Sequence, residues 1–155
     1  MNKPTAPIQF HFSSPCNLAN RRMLKGFILS MFRKEKQPFE KMDIIFCDDK
    51  FLLVLNREFL KHDYYTDILS FPLSVKGKPL IAEVYISIDR VRDNARNLET
   101  TFREELHRVI FHGILHFCGY RDKRPVDIEK IRAMENKYLN SYFRLKSGVQ
   151  SSKRL

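Results

Sequence analysis

The segment from Thr101 to Gly119 constrains this chain more than any other. Thr101-Phe102-Arg103-Glu104 has the form of a capping box, a Thr with a Glu three residues on, so a helix begins there. Apolar residues dominate the stretch that follows, making it the most apolar helix of the sequence. Gly119 is placed to terminate it in a left-handed conformation after Cys118. A helix this apolar belongs in a core, and the rest of the chain must pack around it.

The remaining elements fall on both sides of it. Ile8–Phe12 alternates and predicts a strand, which Ser13-Ser14-Pro15 breaks. From Asn17 onward Leu18, Met23, Leu24, Phe27, Ile28, Met31 and Phe32 recur at helical spacing, and Pro38 ends the region. Met42–Cys47 predicts a second strand, and Asp48 and Asp49 are N-cap candidates for a helix to about Arg57. Asp67–Phe71 is a short strand finishing near Pro72. Val75–Pro79 is a turn, and Leu80–Ile88 is the strongest strand. Asp89 is a cap candidate for a helix through about Leu98, and a last helix should span about Val126 to Phe143. Strands come early, interleaved with helices, and the last third is helical. That pattern predicts an α+β fold. The expected organisation is a single domain over 1–145, a mixed sheet of about four strands with about five helices. A basic tail over 146–155 has a composition that predicts fraying.

The central helix carries the chemistry. In Phe111-His112-Gly113-Ile114-Leu115-His116-Phe117-Cys118-Gly119-Tyr120-Arg121-Asp122, the two histidines stand four apart, about 40° around a helix axis. Imidazoles so spaced share a face and can grip one ion, the physical basis of the zincin helix. An imidazole in so apolar a helix is costly without a partner. The turn at Gly119 can swing the chain back, and Asp122 follows directly. His112, His116 and Asp122 therefore predict a site for one zinc ion, or another divalent first-row metal, per chain. Two His and one carboxylate leave a coordination position open for water, as hydrolytic catalysis requires. Zinc peptidases carry a general-base Glu beside the first His. Here Gly113 stands in that place, which weakens the peptidase reading and suggests close approach of another element. His107 lies about 140° from His112 and should not reach the same ion. His11 and His62 have no partner spacing and read as structural, and Cys118 and Tyr120 read as core residues.

Charge bears on partners rather than on fold. The net charge is +10, from 28 Lys and Arg against 18 Asp and Glu. Polyanions are the candidates: RNA, DNA or an anionic membrane face. The first quarter is crowded with cations, among them Arg21, Arg22 and Lys25, and the tail beyond Arg144 lacks any acidic residue. A phosphate-tracking surface fits two such basic ends. No apolar run approaches transmembrane length, so a membrane partner is not expected. The start has no export signal, and Cys16, Cys47 and Cys118 are odd in number and far apart. Reduced thiols in the cytoplasm are the expected state.

Three segments together resemble the YbeY family, bacterial endoribonucleases linked to ribosomal RNA maturation. They are His112-Gly113-Ile114-Leu115-His116-Phe117-Cys118-Gly119-Tyr120; Leu55-Asn56 with Thr66-Asp67-Ile68-Leu69-Ser70-Phe71-Pro72; and Ala82-Glu83-Val84-Tyr85-Ile86-Ser87. Their order and spacing run through about residues 40 to 140, and the Thr-Asp-Ile-Leu-Ser-Phe-Pro run makes the likeness specific. The resemblance implies a cytoplasmic, metal-dependent endoribonuclease that hydrolyses phosphodiester bonds in single-stranded RNA, in rRNA maturation or ribosome quality control. The implied partners are ribosomal RNA or ribosome-associated proteins. Asp122 stands where the family pattern usually has a third His, and Asp is a competent oxygen ligand. Leu60 stands where the pattern often has an Arg implicated in cleavage. Lys61 beside it can supply charge but not a guanidinium fork. Ala82-Glu83 replaces the usual Gly-Asp. Lys61, Asp67 and Ser70 are the candidates for catalytic roles beyond the metal, with Thr66 beside them, and Arg21, Arg22 and Lys25 are the candidates for holding RNA. Two other readings stay open: an RNA- or ribosome-binding factor with a structural metal, and a metallopeptidase.

Overall fold

A four-stranded sheet forms the floor on which the central helix rests. The computed structural model describes residues 6–154, with side chains described through 145. The strands are β1 (Ile8–Phe12), β2 (Phe39–Cys47), β3 (Ile68–Pro72) and β4 (Leu80–Ser87), in spatial order β1-β2-β4-β3. β1, β2 and β4 run parallel, and β3 is antiparallel to β4, so the sheet is mixed. The helices are α1 (Arg21–Lys34), α2 (Asp49–Leu60), α3 (Ile88–Asn97), α4 (Phe102–Phe117) and α5 (Pro125–Arg154). The described residues thus form an α+β domain of four strands and five helices, as the sequence pattern predicts. The expected tail over 146–155 lies outside the residues whose side chains are described.

Period-two alternation puts Met42, Ile44 and Phe46 of β2, and Ala82, Val84 and Ile86 of β4, into one core. Leu24, Phe27, Ile28 and Met31 of α1 and Leu106, Val109, Ile110 and Ile114 of α4 fill it from the helical side. A smaller cluster of Cys47, Leu52 and Leu69 is joined by Leu55, Phe71 and Tyr85 around α2. α4 packs on the sheet, α1, α3 and α5 at once, which is why most of its residues are buried.

The helix ends follow local chemistry. The Thr101 hydroxyl accepts from the Glu104 N–H at 3.0 Å, and Asp48 accepts from the Phe51 N–H at 2.8 Å. α3 is capped by Ser87, which accepts from the Arg90 N–H, rather than by Asp89. Asp89 instead accepts from the Asp49 N–H at 2.9 Å and so serves the start of α2. α1 begins at Arg21 and not at Asn17. Asn20 is left-handed at φ 57°, so Leu18 reaches the core from an irregular segment whose spacing only imitates a helix. α5 begins at Pro125, a residue suited to a first helical position, and runs past the expected end near Phe143.

Candidate metal centre

The two imidazoles of α4 and the carboxylate after it converge on one point. Gly119 has φ +100°. Its N–H donates to the His116 carbonyl, and the Tyr120 N–H donates to the Leu115 carbonyl at 3.1 Å. These two bonds form a Schellman turn, which ends α4 and reverses the chain. Asp122 returns as a result. Its Oδ2 lies 3.1 Å from His116 Nε2 and 3.3 Å from His112 Nε2, and the two Nε2 atoms are 3.0 Å apart. A tetrahedral zinc site with bonds of about 2.0–2.1 Å has ligand–ligand edges of about 3.3 Å. The triangle of donor atoms is close to one face of such a tetrahedron. Among the described residues this is the group of His, Cys, Asp and Glu side chains with metal-binding geometry.

A further residue orients the first imidazole. His112 Nδ1 lies 2.7 Å from Oε2 of Glu135 on α5. A carboxylate there accepts, so the proton sits on Nδ1 and the Nε2 lone pair faces His116 and Asp122. Glu135 is 4 % exposed and is itself held by Arg108, whose Nη1 donates to Oε1 at 3.2 Å. Burial opposes a charge on His112. The hydrogen bond and charge of Glu135, with Asp122 and Asp67, outweigh it and raise the pKa. Three carboxylates thus surround an imidazole pair, the surroundings a cation favours. The donor set, its edges and this polarity fit a divalent first-row ion.

Gly113 has the steric role suspected of it. A Cβ at that position would lie 2.7 Å from Ile68 Cδ1, and the Ser70 hydroxyl lies 3.8 Å from the same point. β3 therefore approaches α4 closely only because residue 113 has no side chain. One lobe of the cleft, about 420 Å³, is lined by Thr66, Asp67, Ser70, His112, His116 and Asp122. A second lobe of about 400 Å³ shares Asp67, His112 and Asp122 and extends between α3 and α5. Asp67 lies at the junction, and its Oδ2 accepts from Asn94 Nδ2 at 3.1 Å. Burial raises its carboxyl pKa against the pull of His112 and its hydrogen bonds.

Lys61 is exposed at the C-cap of α2 and lines neither lobe, and Leu60 beside it is exposed as well. Arg21, Arg22 and Lys25 occupy the first turns of α1, away from both lobes. Arg21 stacks over Phe12 at 4.3 Å and Lys25 over Phe10 at 5.5 Å. His107 is buried against Tyr142, with Nδ1 at 2.6 Å from the Arg103 carbonyl. His11 meets Asp43, and His62 meets Tyr64. The Tyr120 hydroxyl donates to Glu35.

Glu135, Arg108 and Glu105 are the residues of the site that sequence reasoning missed. Glu135 had a signal: it falls between Ile131 and Tyr138 on the buried stripe of α5, where a carboxylate needs a partner.

The sequence model described as Endoribonuclease YbeY matches residues 16–143. A protein of that name from Cytophaga hutchinsonii is 45% identical over 124 residues, covering 79% of this chain and 86% of the relative. One from Porphyromonas gingivalis is 43% identical over 119 residues, 77% of this chain and 78% of the relative. A solution structure of a Thermotoga maritima protein superposes with a TM-score of 0.59 at 25% identity, covering 94% of this chain and 95% of the other. With the matched region taking in β2, β3 and β4 and the converging His112, His116 and Asp122, the chain belongs to the endoribonuclease YbeY family.

Proposed function

We propose that this chain is a metal-dependent endoribonuclease that hydrolyses phosphodiester bonds of single-stranded RNA in the cytoplasm, with ribosomal RNA as its substrate. The observation that carries the reading is the convergence of His112, His116 and Asp122 at 3.0–3.3 Å beside an imidazole oriented by Glu135. These three residues would hold one divalent ion, zinc or a first-row neighbour. When bound, the ion supplies Lewis acidity to a phosphodiester oxygen or to the attacking water. The protein's own groups do the rest. Glu135 fixes the His112 tautomer, and Arg108 keeps Glu135 in place. Asp67, with its carboxyl pKa raised, is placed at the junction of the lobes to take or hold a proton during hydrolysis. Thr66 and Ser70 line the lobe in which the phosphate would lie. The basic surface steers the polyanion. Among the described residues no helix is long and apolar enough to cross a membrane.

Substitution at the ligands tests this. His116→Ala should remove both bound metal and RNA cleavage. Asp122→Ala should weaken both while leaving the fold intact, because Asp122 lies beyond the end of α4. Asp122→His should keep both, because imidazole is an equivalent donor. RNA cleavage that survives His116→Ala unchanged would refute the reading, and metal retained without any turnover would favour a binding factor with a structural metal.

A further inference from the structure

The lobe between α3 and α5 contains a carboxylate with one oxygen that has no hydrogen-bond partner. Glu105 is on its floor, one α4 turn before Arg108 and two before His112, and the residue is only 4 % exposed. Its Oε2 is buried without a hydrogen bond. A sealed carboxylate oxygen lacking a donor is costly, so it calls for a ligand that brings N–H groups. Burial raises the Glu105 pKa, Arg108 opposes the rise, and Asp67 and Glu135 add to it.

The walls suggest the shape of that ligand. Leu98 at the end of α3 and Ile128 near the start of α5 both line the lobe and are 56 % and 44 % exposed. Val109 and Ile131 line it more deeply. Apolar side chains on either wall over a polar floor suit a flat, amphipathic ring. The volume of about 400 Å³ lies in the range of small-molecule sites, about 300–1,000 Å³. The lobe opens onto His112 and Asp122, so a base held in it leaves its own phosphate beside the metal centre.

We propose that this lobe is a nucleobase subsite selective for guanine, with Glu105 as the residue that reads the base. A carboxylate offers acceptors alone. Guanine presents two adjacent donors on one edge, the ring N1–H and the exocyclic amino group, which match its two oxygens. Adenine and cytosine set a ring acceptor beside their amino group, and uracil flanks its single N–H with carbonyls. Each of those places a lone pair against Glu105. A part-turn of the Glu105 carboxylate about its terminal torsion, which is broad, brings both oxygens to the lobe. The inference rests on RNA being the substrate.

The test is equilibrium binding of guanosine, inosine and adenosine 5′-monophosphates to the full chain, wild type and Glu105→Gln, alongside mapping of RNA cleavage products. Guanosine monophosphate should bind about tenfold more tightly than inosine monophosphate, which lacks the amino donor, and more tightly still than adenosine monophosphate. Glu105→Gln should erase the gap between the guanine and hypoxanthine nucleotides, and any cleavage that remains should lose its preference beside guanine. Equal affinities for the three nucleotides on the wild type would overturn the proposal, and need no variant that folds. So would a preference for adenine, which would mean a protonated Glu105. Metal-dependent cleavage without base preference would overturn the guanine subsite and leave the nuclease standing. Selective guanine binding without any RNA cleavage would support the subsite and refute the nuclease.

Discussion

Glu135 and Glu105 are both buried carboxylates facing one cleft, yet their surroundings give them opposite tasks. Glu135 is held by Arg108 and His112, with Arg132 at 4.0 Å, and is fixed among them. Glu135→Gln keeps the shape and an accepting oxygen but removes the charge behind His112. Metal affinity should fall by about 10–100-fold, the usual cost of losing such a support, in a competitive chelator titration. An unchanged affinity would mean that Glu135 merely fills space. Glu105 Oε2 has no donor, and burial raises the folded-state pKa of the carboxyl above that of the unfolded chain. The folded state therefore binds the extra proton between the two values, and stability falls as pH rises through that window. The contribution is complete below the ordinary Glu value of about 4.3 and is lost as pH passes the raised value. Denaturant melts of wild type and Glu105→Gln should accordingly diverge with rising pH, in favour of the Gln variant. Parallel pH profiles would show that Glu105 is not held in this state. The histidine pair and Asp122 were legible because a helix converts spacing into direction and a terminating glycine returns the chain. Glu135 was not, because its meeting with His112 depends on how α5 packs against α4.

Between elements, the contact that sets the site is that of β3 with α4 at Gly113. Two effects compete there. Ala in place of Gly within a helix gains about 0.8–1 kcal/mol. Against that, the new methyl would meet Ile68 Cδ1 at 2.7 Å, and overpacking costs about 1–3 kcal/mol. Gly113→Ala should be neutral or destabilising in the wild-type background. With Ile68→Val, which removes Cδ1, the same change should turn stabilising by up to about 1 kcal/mol. Additive effects in denaturant melts would show that β3 is not pressed against residue 113. The strands, the Thr101 cap and the Gly119 stop follow rules local in sequence, and the sequence predicts them. The start of α1 and the cap of α3 depend on tertiary partners. Leu18 packs in the core without being helical, and Asp89 is drawn across to the Asp49 N–H, leaving Ser87 to cap its own helix.

For the whole molecule, the net charge of +10 implies that phosphates supply much of the affinity for RNA. Binding should weaken steeply with salt. Arg21 and Lys25 project over Phe10 and Phe12 at the start of α1, remote from the metal ligands. Reversing the charges of Arg21, Arg22 and Lys25 should lower the salt slope by about two or more and weaken different RNA sequences by similar factors, leaving metal content unchanged. An unaltered slope would make this face a solvated surface and place RNA elsewhere. The fold class and the meeting of His112, His116 and Asp122 were readable from sequence because they rest on alternation, caps and one dense helix. The cleft between α3 and α5 was not, since it exists only once three helices are in place. The central claim is that the ion on His112, His116 and Asp122 drives RNA cleavage. It is tested most directly by stripping the full chain with chelator, restoring zinc in steps, and measuring bound metal and RNA cleavage on the same samples. The account predicts that cleavage is absent from the stripped protein and rises in proportion to bound metal, up to one ion per chain. Full cleavage by the stripped protein, or saturation with metal and no cleavage, would contradict it.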